Sequence, residues 1–410
     1  MKRICILLAG ALLAFSCSPK QTQAPVHPEW SYQSVVYEMN VRQYTPEGSF
    51  DAARAELPRL KDLGVDVIWL MPIHPIGVEG RKGSLGSYYA ASDYCAVNPE
   101  FGTMEDFDEF LAEAHSLGLK VILDMVCNHT SPDAVWNNET GYDWYVRDSL
   151  GHTIVEYDWT DIAKLDYSNT ELREAMADVL RFWVAKGVDG YRCDAAWSLP
   201  TDFWAGILPE LKAQNPDLYF LAEAEKPELN IEGGFDAAYA WKLHHTLNSI
   251  AQGEAGIPEL KAVLDTTAAD FPKETFMLSF TSNHDENSWA GTEFERMGDA
   301  WKVMAVLCYT LPGSQPLIYT GQEVGWNKRF EFFEKDITPD WTENEFTAFY
   351  KEMNALYHDN PALAAGEKGG EFEILSEEDG TLVFSRTVPG NKVTVSAQLV
   401  APWAYSITVE

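Results

Sequence analysis

The chain has 410 residues, 46% hydrophobic and 13% aromatic, enough for one large core. Its 63 acidic against 30 basic residues leave a formal net charge of −33, which argues against nucleic acid and anionic membrane surfaces as ligands. The six cysteines show no CxxC spacing, which argues against a structural zinc site or a disulfide frame. Cys95, Cys127, Cys193 and Cys308 lie in or beside apolar segments and are expected to be free and buried.

Residues 1–17 read as a targeting segment. Lys2 and Arg3 form a positive start, and residues 4–15 an apolar run too short to span a bilayer. The run ends Leu13-Ala14-Phe15-Ser16-Cys17, which resembles a lipobox with Cys17 as the lipidated residue; Cys5 falls inside the signal. Residues 18–28 are polar and contain proline, as a tether behind an anchor would. A lipoprotein held outside the cytoplasm, in the periplasm or at the cell surface, is therefore expected. An ordinary signal peptide with an incidental cysteine is the alternative.

From residue 29 strands and helices alternate. Residues 35–41 read as a first strand. Ser49 caps a helix to about residue 63, bent at Pro58. Residues 65–72 form a near-continuous apolar run, the mark of a strand covered on both faces. A glycine-rich loop covers residues 77–86. Thr103-Met104-Glu105-Asp106 resembles a capping box opening a helix to about residue 117, and residues 119–126 form a third strand. Residues 130–168 lose all periodicity; their aromatic residues serve either as sugar platforms or as the loop's own core. A helix follows from Thr170 to Lys186, then a short strand ending in Arg192 and Asp194. Thr201 caps a helix to about Gln214. Strands are expected at residues 218–223, 235–241, 274–281 and 314–320. A last helix, with Thr342 and Glu345 as its capping box, runs to about His358.

Eight such strands predict a closed (β/α)8 barrel over residues 29–358, with residues 130–168 as a short loop domain after the third strand. Residues 359–410 change character: four alternating segments with turns at Asp379-Gly380 and Gly390-Asn391 predict a small antiparallel β domain. The whole is α/β in class.

In such a barrel chemistry sits at the C-terminal strand ends. Polar residues gather there. The third strand runs into Asp124-Met125-Val126-Cys127-Asn128-His129. The fourth ends Gly187-Val188-Asp189-Gly190-Tyr191-Arg192-Cys193-Asp194, where period two puts Arg192 and Asp194 on one face. A guanidinium two residues before a carboxylate holds it ionised. The fifth strand brings Glu223, and the seventh Ser282-Asn283-His284-Asp285. Three carboxylates, two histidines and an arginine at one barrel mouth are a strong catalytic signal.

These four segments, in this order, resemble the signature regions of the α-amylase family of retaining glycoside hydrolases, over roughly residues 30–360. Tyr89 and Gly321-Gln322-Glu323 agree with it. The resemblance implies Asp194 as nucleophile, Glu223 as acid and base, and Asp285 as the third acid, acting on α-glucosidic bonds of starch-derived glucans. It implies that Tyr89 floors the sugar, that His129 and His284 hold its hydroxyls, and that Arg192 holds Asp194. Trp197 either stacks on a sugar at the leaving-group side or packs. Many family members bind calcium beside the long loop, and Asn128 stands at a ligand position. The usual aspartate and histidine partners are here Lys164 and Ser198. A metal-free site is therefore expected, with Lys164 reaching toward Asn128 or a nearby carbonyl; Asn128 would be the remaining ligand if calcium were bound. A transglycosylase or isomerase of the same family, and a catalytically inactive sugar-binding lipoprotein, are the alternatives. Oligomeric state and bond preference stay open.

Overall fold

The computed structural model describes residues 27–138 and 143–410. Cys5, Cys17, the signal and all but the end of the 18–28 tether lie outside the described residues. Eight strands form a closed parallel barrel: β1 Val36–Met39, β2 Val67–Leu70, β3 Lys120–Met125, β4 Gly190–Cys193, β5 Tyr219–Ala222, β6 Ala237–Tyr239, β7 Phe276–Ser279 and β8 Ser314–Tyr319. Each pairs with its neighbours in the chain, and β8 closes on β1.

The period-two alternation explains why these runs are apolar on both faces. Val36, Val67, Ile122, Leu221, Ala237, Leu278 and Leu317 form a cluster inside the barrel. The residues between them, including Tyr37, Ile68, Val121, Phe220 and Ile318, join the larger cluster under the helices. Each such valine, leucine, isoleucine or phenylalanine contributes roughly 1.5–3 kcal/mol on burial. Toward the C-terminal ends the inward positions become polar. Two residues beyond Val36 comes Glu38, beyond Ile122 Asp124, beyond Leu221 Glu223. Strand register puts Asp124 directly beside Arg192. On the other side Gly190 is required for the approach of β4 to β5: a Cβ there would lie 1.8 Å from the Tyr219 carbonyl oxygen.

Several local expectations are corrected. The helix from Ser49 is two helices, Phe50–Ala55 and Leu57–Leu63. Pro58 sits in the first turn of the second, where its missing N–H costs nothing. Thr201 opens the helix Thr201–Gln214 but does not cap it. The last barrel helix, Glu345–Asp359, is capped by Asn344 with Thr347, because Thr342 instead donates to Asp340 at 2.8 Å. Cys95 is exposed, unlike the other three free cysteines. Its backbone N–H donates to the Asp93 carboxylate at 2.9 Å, a local turn at the surface. The Thr103 capping box forms as read.

The aromatic residues of the long loop divide. Trp136 packs on Tyr94 and Trp144, and Tyr145 is buried with them, so these make the loop's own core. Tyr157 and Trp159 instead face the barrel mouth. A four-stranded antiparallel sheet follows the barrel in the order β9 Glu371–Glu378, β10 Thr381–Val388, β11 Asn391–Gln398, β12 Ala404–Val409. Leu382, Phe384, Val393 and Val395 cover its inner face and join the barrel's outer core. Buried Arg386 ties the two together by donating to the carbonyls of Leu311 at 2.8 Å and Gly370 at 3.1 Å. Among the described residues no helix is long and apolar enough to cross a membrane.

Candidate active site

The barrel mouth opens into a cleft of about 550 Å³ lined by Tyr89, His129, Asp194, Trp197, Glu223, His284 and Asp285, among others. All the residues singled out in the sequence for catalysis and sugar contact reach this cleft or, for Arg192, lie directly beneath it.

Arg192 is fully buried and organises the centre. Its Nη1 donates to Asp194 Oδ1 at 2.9 Å and to Asp124 Oδ1 at 2.8 Å. Its Nη2 lies 3.1 Å from Glu223 Oε2 without the alignment of a hydrogen bond. Its Nε donates to the Tyr239 hydroxyl at 3.2 Å. One guanidinium is thus shared by three carboxyl groups. Burial pushes the Asp194 carboxyl up to about 6, with Arg192 opposing and Asp124 adding to the rise. Burial pushes Glu223 further, to about 7, Arg192 again opposing while Asp194 and Asp285 add to the rise. The arrangement therefore favours a proton on Glu223 while Asp194 is ionised. Two carboxyl groups with separated affinities for a proton are what acid–nucleophile chemistry needs.

The turn after Asp194 carries strain with a purpose. Ala195 has φ +41°, a left-handed conformation that non-glycine residues avoid. In that conformation its N–H donates to Glu223 Oε2 at 2.7 Å, fixing one carboxyl oxygen. The sequence carries no sign of this.

The two histidines differ. His129 is buried and pushed down to about 4 by desolvation, so it is neutral near pH 7. Asn128 Nδ2 lies 3.2 Å from its Nδ1. His284 packs face to face with Tyr89, ring centroids 5.3 Å apart, its Nδ1 2.5 Å from Glu38 Oε1 and its Nε2 2.8 Å from the Tyr89 hydroxyl oxygen. Tyr89 therefore stacks on the histidine as well as lining the cleft. Asp285 is the most open of the three acids, its side chain 39% exposed, with Oδ2 3.5 Å from His284 Nε2.

Sequence reasoning missed several residues. Glu38, which bonds His284 at 2.5 Å, was legible as a lone acid on the inner face of an apolar strand. Trp289, Phe332 and Phe333 crowd together at one end of the cleft, with Trp289 and Phe332 centroids 5.2 Å apart. None of the three lies in a segment whose periodicity marks it. Trp289 belongs to a π-helical turn, Glu286–Ala290, directly after Asp285. Trp197 stands at the cleft rim, 42% exposed, with the Lys226 ammonium 5.8 Å from its ring centroid.

The residues beside the long loop do not fit a calcium ion. Lys164 pairs with Glu156, a partner the sequence did not suggest. Glu156 Oε2 accepts from Asn128 Nδ2 at 2.6 Å, and Asn128 Oδ1 accepts from Ser198 Oγ at 2.8 Å. Ser198 Oγ also contacts the Ala195 carbonyl at 2.7 Å. The Asn128 oxygen already accepts a hydroxyl proton, and an ammonium occupies the carboxylate's other side. Among the described residues no group of three His, Cys, Asp or Glu side chains is arranged to hold a metal ion.

A family model described as the α-amylase catalytic domain matches residues 39–148 and 136–361. The α-amylase MalA of Haloarcula japonica is 30% identical over 349 residues, covering 82% of this chain and 50% of that protein. An α-1,4-glucan:maltose-1-phosphate maltosyltransferase of Mycolicibacterium smegmatis is 32% identical over 273 residues, covering 57% of this chain and 39% of that protein. The chain thus spans 50% of the first of these curated relatives and 39% of the second. Among solved structures, an α-amylase from Lactobacillus plantarum superposes with a TM-score of 0.80 at 31% identity, covering 90% of this chain and 88% of that chain.

Proposed function

Because this chain belongs to the α-amylase family, we propose that it is a retaining enzyme that hydrolyses α-glucosidic bonds, of the α-1,4 kind, in starch-derived oligosaccharides or α-glucans.

 The observation that carries this reading is the pairing of Asp194 and Glu223 around Arg192, at the ends of neighbouring strands, inside a cleft with an aromatic lining.

In the first half-reaction an Asp194 oxygen attacks the anomeric carbon, and the bond from that carbon to the leaving oxygen breaks. The proton of Glu223 goes to the leaving oxygen. In the second half, Glu223 takes a proton from water, the water oxygen attacks the same carbon, and the ester to Asp194 breaks. Asp285 holds sugar hydroxyls and opposes the positive charge that builds on the ring. Tyr89 floors the ring, while His129 and His284 contact its hydroxyls. Trp197 borders the side from which the leaving sugar departs.

A product time course tests this. The mature protein is incubated with maltoheptaose, pullulan and soluble starch, with and without chelator. Shorter maltooligosaccharides, formed equally in both conditions, are the expected outcome. The chelator arm follows from the Lys164–Glu156–Asn128 cluster, whose donors do not suit calcium. Transglycosylation is the second reading, favoured by the maltosyltransferase relatives. Longer chains with little new reducing sugar would move the assignment there, and binding without turnover would make the domain a sugar-binding one. Anchoring outside the cytoplasm through Cys17 is part of the same proposal. Radiolabelled palmitate should label the wild type and not Cys17→Ala; equal labelling would remove the anchor.

A further inference from the structure

Glu38 lies at the end of β1, fully buried, and one of its oxygens has a single strong partner. His284 Nδ1–H donates to Glu38 Oε1 at 2.5 Å, while Glu38 Oε2 has no hydrogen-bond partner. The carboxyl is thus directed at the imidazole and at nothing else of comparable strength.

The other side of the ring decides the charge. His284 Nε2 lies 2.8 Å from the Tyr89 hydroxyl oxygen and 3.5 Å from Asp285 Oδ2. The Tyr89 hydroxyl has one proton, and it lies 3.1 Å from Asp124 Oδ2. Asp124 also takes the Trp69 indole N–H at 3.2 Å and an Arg192 N–H at 2.8 Å. If Tyr89 donates to Asp124, it can only accept from His284, and Nε2 must carry a proton as well as Nδ1. With Glu38 and Asp124 both ionised, only the imidazolium satisfies every contact in this chain of groups.

We propose that Glu38 is a positioning residue that keeps His284 doubly protonated, making it a second fixed cation in the cleft beside Arg192. This rests on the reading of the cleft as a sugar site. The charged and titratable groups around the ring are Glu38 from β1, Tyr89 from the loop after β2, Asp124 from β3, Arg192 from β4 and Asp285 beside it. Tyr239 of β6 and Tyr319 of β8 face Glu38. Burial alone would lower the affinity of His284 for a proton. Asp285 and Glu38 outweigh it, with Arg192 opposing them, and raise the group to about 9. An imidazolium donates from both nitrogens, so it orients Tyr89 under the sugar and offsets part of the charge of Asp194 and Asp285. It also keeps that geometry unchanged across the range in which Glu223 gives and takes its proton.

Imidazole nitrogen signals of histidine-labelled full-length protein test this without any substrate, so the outcome does not depend on the proposed activity. The His284 signal is identified by its loss in His284→Asn. In the wild type it should remain that of an imidazolium to about pH 8, well above an ordinary histidine. In Glu38→Gln it should be neutral at about pH 7, and Glu38→Asp should restore part of the charge. The ratio of Glu38→Gln to wild-type kcat/KM should fall as pH rises from about 6 to about 8, because His284 then loses its proton only in the variant. A merely structural glutamate would lower activity at every pH alike. A wild-type His284 that is neutral at about pH 7 would overturn the proposal, even if Glu38→Gln fails to fold. So would an unchanged charge and pH profile in a folded Glu38→Gln.

Discussion

Two aspartates bracket the fourth strand of the barrel, Asp189 before it and Asp194 after it, and they live under opposite electrostatic terms. Asp189, on the floor, receives the Lys120 ammonium at 2.9 Å, His115 Nε2 at 2.7 Å and the Val121 N–H at 2.9 Å. Burial works against its charge, but these partners win and hold its carboxyl below the usual range. Asp236 on the same floor is tied to Lys212, to His27 at 2.6 Å and to the Phe220 N–H at 2.8 Å. At the mouth, by contrast, Asp124, Asp194 and Glu223 share one guanidinium. A carboxylate with cations of its own is a structural fastener; carboxyl groups that must share one are left near the point of titration. Cavity size does not make this distinction. The floor opening, of about 650 Å³, is larger than the cleft, yet its buried aspartate is fully tied.

The sharpest break of the comparison is the same substitution at both ends. Asp194→Asn should lower kcat by a factor on the order of 10⁴ or more and leave the unfolding midpoint in urea nearly unchanged. Asp189→Asn should leave kcat within about threefold and lower stability by about 1–3 kcal/mol, since it weakens charge-assisted bonds to three donors. Measured turnover and urea unfolding of both variants decide it. Turnover retained in Asp194→Asn, or lost in a stable Asp189→Asn, would erase the distinction.

Glu223→Gln comes next in size. It should cost roughly 10²–10⁴ in rate on natural glucans, whose leaving oxygen needs a proton, and far less on α-glucosyl fluoride, whose leaving group needs none. Equal losses on the two substrates would remove Glu223 from the acid role. The pH profile then sharpens the comparison within the mouth itself. Asp194 must be ionised to attack, so the rate should fall as pH drops through about 6. Glu223 must be protonated to donate, so the rate should fall as pH rises through about 7. The result is a narrow bell in kcat/KM. A plateau extending well into the alkaline range would show that Glu223 is not the titrating acid.

The barrel and the cluster of charged groups at its mouth were legible because both are periodic. Eight apolar runs separated by helical spacings define the barrel, and a two-residue step from each run to a polar residue marks Asp124, Arg192 and Glu223 as inward-facing. Glu38 follows the same rule on β1, yet a lone acid in an apolar strand draws less notice than a cluster. What stayed hidden depends on backbone and loop geometry. Nothing in the letters reveals that Ala195 adopts a left-handed conformation to aim its N–H at Glu223. Trp289, Phe332 and Phe333 meet only because two separate loops fold toward one another. Cys95 looked buried from its apolar neighbours, but a side-chain turn at Asp93 keeps it at the surface.

A third kind of carboxylate lies between floor and mouth, and it gives the smallest expected effect. Glu156 has its own cation in Lys164, like a floor aspartate, but both side chains are partly open to solvent, at 19% and 30% exposure. The pair helps hold its carboxyl below the usual range, although burial acts the other way. Through Asn128 and Ser198 it also touches the carbonyl of Ala195, whose N–H fixes Glu223. Solvent screening limits what such a pair contributes, so Lys164→Met should cost only about 0.5–1 kcal/mol of stability. Its reach into the mouth should nevertheless cost a few-fold in kcat, because Asn128 would lose the fixed carboxylate that orders it. Thermal unfolding and turnover of the variant, each with and without added calcium, measure both effects. If calcium restored the lost turnover, the ammonium would be standing in a site that still accepts a metal, and the donor set would have been misread. If neither stability nor turnover changed, Lys164 would be an ordinary surface charge, and the order of the mouth would rest on Arg192 and the strand register alone.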